Sequence, residues 1–321
     1  MEIPYISVII TAFNRKDYVY QAINSVLNQT LDPSKYELII VSNFEIPIKI
    51  DKKYNCIIIL KKTNKERLNL MIYGIKAAKG SILCFLDDDD LYNNDKLEKI
   101  LNLFSKNIKC GYIHNGFLLI DDQSNKITSK KLINLYRPPR NSYYIPYGKI
   151  KKFLRKINND NGFVNLSAIS IRSSIIDKNT LDYFVELPGN MDEFMFYELL
   201  HSGFDLLIDN DILSFYRIHK ENNSKPKTVA QILYFTKRLL KSTEMLNRLL
   251  ENTEFSLYGD MKLEYWINKE HLLDENFHVS FKFLLITIIY FFKYGYYPSL
   301  ALFALYRFLF KKLPISLIRK Y

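Results

Sequence analysis

Residues 82–90 read Ile82-Leu-Cys-Phe-Leu-Asp87-Asp88-Asp89-Asp90, an apolar run that stops at four consecutive carboxylates. The run has the length and composition of a buried strand. Adjacent ionised acids repel one another, so gathering them at a strand end calls for something positive to meet them. A hard divalent cation does this, since Mg2+-like ions take carboxylate oxygens and leave positions open for phosphate. The plainer alternative is a solvated acidic turn capping a helix that starts near Asn93 or Asn94. The sequence on either side of the run favours the cation.

Strand and helix signals alternate around it. Tyr5–Thr11 is a β-branched apolar run, and Lys16–Asn28 has helical spacing through Val19, Ala22, Ile23, Val26 and Leu27. Tyr36–Val41 and Cys56–Leu60 are further strands. Glu66–Lys79 is a helix stopped by Gly80, and Asp95–Phe104 is a helix following the acids. Strands separated by helices of this length imply a mostly parallel sheet covered on both faces. Ligands of such sheets gather at the carboxyl ends of the strands, where both Thr11–Arg15 and Asp87–Asp90 fall.

Residues 122–160 carry many Lys and Arg, the pair Pro138-Pro139 and few periodic apolar positions, and read as a long excursion suited to substrate specificity. Regular structure resumes with a strand over Phe163–Arg172 and a helix over Asp192–His201 before Gly203. Strands follow at Leu206–Ile208 and Ile212–Arg217, then a long amphipathic helix over Thr228–Leu250. In the tail, Phe281–Phe292 and Leu300–Phe310 are apolar, separated by Lys293–Pro298. Both are shorter than the roughly 18–20 residues that span a bilayer.

The chain has 321 residues, enough for a full core plus an appendage, and 48% hydrophobic and 25% charged residues, as ordinary globular proteins have. Cys56, Cys84 and Cys110 are odd in number and lack metal-ligand spacing, which fits free thiols in a reducing compartment. The first residues form a strand pattern rather than a signal peptide, so a cytoplasmic location is expected. The net charge of +11 calls for an anionic partner. Residues 276–321 hold no Asp or Glu but seven Lys and Arg, among them Lys282, Lys293, Arg307 and Arg319. Short apolar segments flanked by bases and aromatics suit peripheral contact with an anionic membrane, with a homodimer interface as the alternative.

Several of these pieces together resemble family-2 glycosyltransferases. Tyr5-Ile-Ser-Val-Ile-Ile-Thr-Ala-Phe-Asn14-Arg15 is similar to the family's opening strand, whose Thr-x-Tyr-Asn-like segment contacts the nucleotide. Ala22–Thr30 resembles the helix that follows, and Tyr36–Val41 the second strand. Phe85-Leu-Asp87-Asp88-Asp89-Asp90 resembles the Asp-x-Asp metal motif. Phe163–Ile176 looks like the strand before the acceptor site, and Asp192 with Leu199–Gly203 resembles the Glu-Asp helix. Tyr216-Arg217-Ile-His219-Lys-Glu-Asn-Asn-Ser224 resembles the segment ending the domain. The likeness covers roughly residues 3–224, with the pieces in order. Two departures stand out: Ser42-Asn43-Phe44-Glu45 replaces the paired acids after the second strand, and Met191 takes the place of the usual Glu.

The resemblance implies a GT-A (Rossmann-like) α/β fold over residues 1–224, with a nucleotide-sugar half (1–121), an acceptor half (122–224) and a helical extension over 225–321. It also implies inverting transfer of a sugar from a nucleotide diphosphate, a UDP-sugar first, to a glycan or lipid-linked acceptor of surface polysaccharide synthesis, with Mn2+ or Mg2+ as cofactor. Asp89 is then the first metal ligand, Asp87 meets the ion or the donor ribose, and Asp90 supports the ligands or positions the sugar. Asp88 counts among the nucleotide-sugar contacts, although its strand alternation turns it the other way. Thr11, Phe13, Asn14, Arg15, Ser42 and Arg67 are the remaining nucleotide-sugar contacts. Arg217 and His219 are assigned to the diphosphate, with His219 also a metal ligand. Asp192 is the base that takes the acceptor proton, with Glu193 in reserve.

Other classes fit less well. A nucleic-acid-binding protein would show aromatics interleaved with bases on one face, and no such pattern or recognition helix stands out. A nucleotidyltransferase would want a glycine-rich phosphate loop, which Thr11–Asp17 is not. A nucleotide-binding scaffold without activity remains compatible with the altered Ser42–Glu45 stretch.

Overall fold

A computed structural model describes residues 6–62, 68–177, 181–189, 191–220 and 228–273, together with Leu284 and Leu309. The chain divides into two compact units, Met1–Lys220 and Glu221–Tyr321.

The first unit is built on a nine-stranded sheet. Strands β1 (Ile6–Ala12), β2 (Tyr36–Ser42), β3 (Asn55–Leu60) and β4 (Ile82–Asp87) form its wholly parallel half, in the spatial order β3-β2-β1-β4. All of β1 and β2 is buried, as expected of apolar strands covered on both faces. Helices α1 (Val19–Leu27), α2 (Leu68–Ala77) and α3 (Lys96–Lys106) supply the cover. Val19, Ala22, Ile23 and Val26 of α1 and Leu97, Ile100 and Phe104 of α3 join the core formed by β1, β2 and β4.

The other half of the sheet is mixed. A two-residue strand β5 (Leu91–Tyr92), β6 (Cys110–Ile120), β7 (Tyr143–Ile145), β8 (Ile169–Arg172) and β9 (Asp205–Arg217) extend the order to β4-β8-β6-β9-β5, with β7 also on β9. Antiparallel β8 lies between β4 and β6, while β6 and β9 run parallel. The ends of β4, β6 and β9 therefore meet at one rim of the sheet.

Several expectations change here. Residues 122–160 contain α4 (Lys130–Tyr136), β7 and α5 (Tyr147–Asn159) rather than an unstructured excursion. The apolar stripe of α5 is only Ile150, Leu154 and Ile157, set among five bases, which hides its period. The strand expected over Phe163–Arg172 begins only at Ile169, after a short 3-10 turn over Leu166–Ala168. The two strands expected over 206–217 are one continuous strand, whose Asp209–Asp211 segment looks like a turn in sequence.

In the second unit, α7 (Val229–Asn247) opens with a capping box between Thr228 and Gln231 and packs on α8 (Ser256–Leu273), which the sequence reading did not single out. Among the described residues no helix is long and apolar enough to cross a membrane. Apart from Leu284 and Leu309, the apolar tail segments lie outside the described residues, as does Arg67.

Candidate active site

The acidic run leaves β4 beside β1, with Asp87 opposite Thr11. The chain then turns, the Asp90 amide donating to the Asp87 carbonyl (3.2 Å), and pairs through β5 with the end of β9. This pairing pulls the acids inward. Asp88 is 2% exposed and Asp90 1%, so the solvated acidic turn is excluded. Ligand oxygens of Asp87, Asp89 and Asp90 lie within 4.8 Å of one another, a donor set suited to one hard cation. Asp90 Oδ2 is buried with no hydrogen-bond partner among the described residues. Burial, then the neighbouring Asp89 and Asp87, push the Asp90 carboxyl well above the usual carboxylate range. A carboxyl disfavoured as an anion in this way gains from a cation beside it, so the residues present fit a divalent ion.

Arg15 and His219 flank the cluster. The Arg15 guanidinium pairs with Asp88 and Asp89 and meets His219 Nε2 at 3.1 Å. His219 Nε2 also lies 3.0 Å from Asp89 Oδ2. Arg15 and His219 are thus brought together with the acids although 204 positions apart. Asp88, in the turn just after β4, pairs with the same Arg15 guanidinium as Asp89.

Arg217, assigned to the diphosphate, lies buried against the acidic loop. Its side chain is fully buried and donates to the carbonyls of Asp89 (2.7 Å) and Asp121 (2.8 Å) and to Gln21 Oε1 (2.8 Å), with the guanidinium over the Tyr18 ring. Its amide donates to Asp90 Oδ1 (2.9 Å). The residue braces the acidic loop from behind and faces no solvent through which a diphosphate would approach.

Lys96 was missed. It is fully buried, donates to the Ser167 carbonyl (2.6 Å) and Ser214 Oγ (3.1 Å), and burial lowers its pKa to about 7. Ser167 Oγ in turn accepts from the Asp87 amide (3.0 Å). The signal was available, since Lys96 begins the buried 96/100/104 stripe of α3.

The acceptor half contributes Asp192 and Glu193 from the first turn of α6 (Met191–Ser202). Burial, followed by the negative charges of Glu193 and Asp87, raises the Asp192 pKa to about 6. Its oxygens accept the amides of Glu193 and Asn165, which fix its orientation at the start of the helix. Asn165, at φ +76°, opens the 3-10 turn carrying Ser167, so one short segment connects Asp192 to the amide of Asp87. Glu193 is buried beside it.

At the far side of the crevice, Asn14 (φ +59°) and Asn43 lock together: the Asn14 amide donates to Asn43 Oδ1 (2.9 Å) and Asn43 Nδ2 to Asn14 Oδ1 (2.7 Å). Phe13 is half-buried there. Ser42 and Thr11 are buried, and the Ser42 hydroxyl serves a local turn by donating to the Phe44 carbonyl (2.8 Å). Of the expected contacts here, Asn14 is exposed and is joined by Asn43, which was not among them, whereas Thr11 and Ser42 are buried.

A buried carboxylate cluster at the strand ends, a flanking arginine and histidine, and a nearby carboxyl raised to about 6 are groups that a transfer reaction on an anionic donor would use. The chain belongs to glycosyl transferase family 2, whose sequence profile matches residues 7–174. An uncharacterized glycosyltransferase of Haemophilus influenzae is 33% identical over 141 residues, covering 41% of this chain and 56% of that protein. The poly(ribitol-phosphate) beta-N-acetylglucosaminyltransferase TarP of Staphylococcus aureus is 33% identical over 109 residues, 32% of this chain and 33% of that protein. The match thus spans about half or less of these relatives. The structure of S. aureus TarS 1-349 in complex with UDP is similar with a TM-score of 0.55 over 83% of this chain and 71% of that one, at 13% identity, and so shares the fold.

Proposed function

We propose that the protein is a metal-dependent inverting glycosyltransferase that moves a sugar from a nucleotide-diphosphate donor, a UDP-sugar first, to a glycan or lipid-linked acceptor in surface polysaccharide synthesis. The observation that carries this reading is the Asp87, Asp89 and Asp90 cluster, joined through Ser167 and Asn165 to Asp192. Asp89 and Asp87 are the ligands, with Asp90 completing the set and His219 beside Asp89. A bound divalent ion would neutralise charge growing on the departing diphosphate. Arg15 adds a second positive charge at the same place, and Asn14 with Asn43 meets the nucleoside. Asp192 accepts the proton of the acceptor hydroxyl as it attacks the anomeric carbon, and the sugar–phosphate bond breaks on the opposite side. Glu193 remains the alternative base. The UDP and UDP-GlcNAc complexes of TarS and the names of TarP and of a teichoic acid biosynthesis protein of Bacillus subtilis support the choice of donor and setting. The basic, apolar tail is assigned to the inner membrane surface, and removing residues 277–321 is expected to lower partitioning into anionic vesicles.

Calorimetric titration of UDP, GDP and CMP, with Mn2+ and with chelator, tests the reading. Metal-dependent binding of UDP is expected. Equal binding in chelator would transfer the cation's role to Arg15, which already pairs with Asp88 and Asp89. Failure of all three nucleotides to bind would favour a scaffold of the same fold.

A further inference from the structure

Residues 123–159 contain ten Lys and Arg and not one Asp or Glu, against 45 basic and 34 acidic residues in the whole chain of 321. A taste for lysine in the sequence as a whole would enrich the bases without removing the acids, so the segment has a charge character of its own. The structure keeps all ten on the surface: Lys126, Lys130, Lys131, Arg137, Arg140, Lys149, Lys151, Lys152, Arg155 and Lys156 are each exposed. Among the described residues only Lys156 forms an ion pair, with Asp160 (2.7 Å). On α5 the bases lie opposite the buried Ile150, Leu154 and Ile157, so at about 100° per residue they cover the whole outer half of the helix. On α4, Lys130 and Lys131 share the surface with Leu135, which is 57% exposed. Such a side chain has no part in binding a hydrophilic polyanion but suits the boundary between head groups and acyl chains.

This surface is tied to the active site. The inner side of α4 places Leu132, Ile133 and Tyr136 against Phe117, Leu119, Ala168, Tyr216 and Ile218. Ala168 follows Ser167, which holds the Asp87 amide, and Ile218 stands between Arg217 and His219. The end of α5 joins the end of α4, the Asn161 side chain donating to the Tyr136 carbonyl (2.8 Å). A flat anionic surface resting on α4 and α5 would thus lie beside the acceptor half of the crevice.

We propose that the outer faces of α4 and α5 form a docking surface for an anionic lipid bilayer, separate from the C-terminal tail and carried by the first unit itself. Bases near such a surface each strengthen partitioning about fivefold, and the effect fades with salt. The docking surface goes beyond the transferase reading, and its test reads no activity, so either can fail alone.

The experiment uses the full chain with an environment-sensitive dye on Leu135→Cys in a Cys56→Ser background, Cys84 and Cys110 being buried. Vesicles containing phosphatidylglycerol are expected to shift the dye emission to the blue, and phosphatidylcholine vesicles are not. Replacing Lys149, Lys151, Lys152 and Arg155 by Gln is expected to weaken the dye-detected partitioning tenfold or more. Replacing the exposed Lys49, Lys52, Lys106 and Lys109 by Gln removes the same charge elsewhere and is expected to leave it within about twofold. A dye that stays unshifted while the protein sediments with the vesicles would overturn the proposal in favour of the tail. Equal losses in the two four-fold variants would reduce it to net charge. A dye response to long-chain polyphosphate but not to vesicles would overturn it in favour of a polymer groove.

Discussion

Asp192 stands where a carboxylate ionises less readily than in water. Burial and the nearby negative charges raise its pKa to about 6, while the Asn165 and Glu193 amides keep it oriented. A base acts in its deprotonated form, so kcat/KM should fall as pH drops through about 6 and level off above about 7. Asp192→Asn should lower kcat about 10²–10⁴-fold, the range of a lost general base, and leave UDP affinity unchanged. Full retention of activity would pass the role to Glu193. Asp89→Asn acts on the other side of the reaction. It removes a ligand oxygen and the carboxylate that pairs with Arg15 and His219, so Mn2+-dependent UDP binding should weaken at least tenfold while the melting temperature stays within a few degrees. Unchanged binding with Mn2+ would reject the ligand assignment. At this scale the sequence told much about chemistry and little about orientation. The four acids, Arg15, Asp192 and His219 were visible as residue types in a plausible order. That Asp88 holds Arg15 and that Arg217 faces inward depends on the pairing of β5 with β9, a contact across more than a hundred residues.

Elements were legible where their hydrophobic pattern is local. The strands β1, β2 and β4 and the helices α1 and α3 are legible because each is buried in a way its own residues dictate, and the half-exposed β3 because of its β-branched run. β6 carries no clear strand signal in its sequence, although it is central and eleven residues long. Its run Cys-Gly-Tyr-Ile-His-Asn-Gly-Phe carries Gly111, His114, Asn115 and Gly116, which break the look of a buried strand. Tertiary structure accounts for each exception. His114 Nε2 bonds the Val164 carbonyl (2.7 Å), Asn115 donates to Ser214 Oγ (3.0 Å), and Gly116 sits where the register with β9 shifts. A Cβ on Gly116 would lie 2.6 Å from the Asn210 carbonyl oxygen, a backbone atom with little room to retreat. Gly116→Ala should therefore destabilise the protein by about 1–3 kcal/mol, the usual cost of overpacking. A denaturant titration with unchanged midpoint would show that the strands separate at that bulge without cost.

For the molecule as a whole, the first compact unit ends at Lys220, just after the last sheet strand, where the sequence reading placed its boundary at residue 224. The chemistry described above lies entirely before that boundary. The acids, Arg15, Lys96, Asn165, Ser167, Asp192, Arg217 and His219 all come from residues 15–219, and among the described residues the sheet that holds them draws on none after Arg217. A unit of this size can bury its own core. A chain ending at residue 227, which keeps the new carboxylate clear of His219, should therefore unfold in one cooperative transition and bind UDP with Mn2+ within about threefold of the full chain. Differential scanning calorimetry and the same nucleotide titration check both parts. A truncated chain that fails to fold would make the second unit part of the structural core. One that folds but loses the nucleotide would mean that residues beyond 227 complete the donor site, so that the long helices α7 and α8 serve the reaction rather than its surroundings.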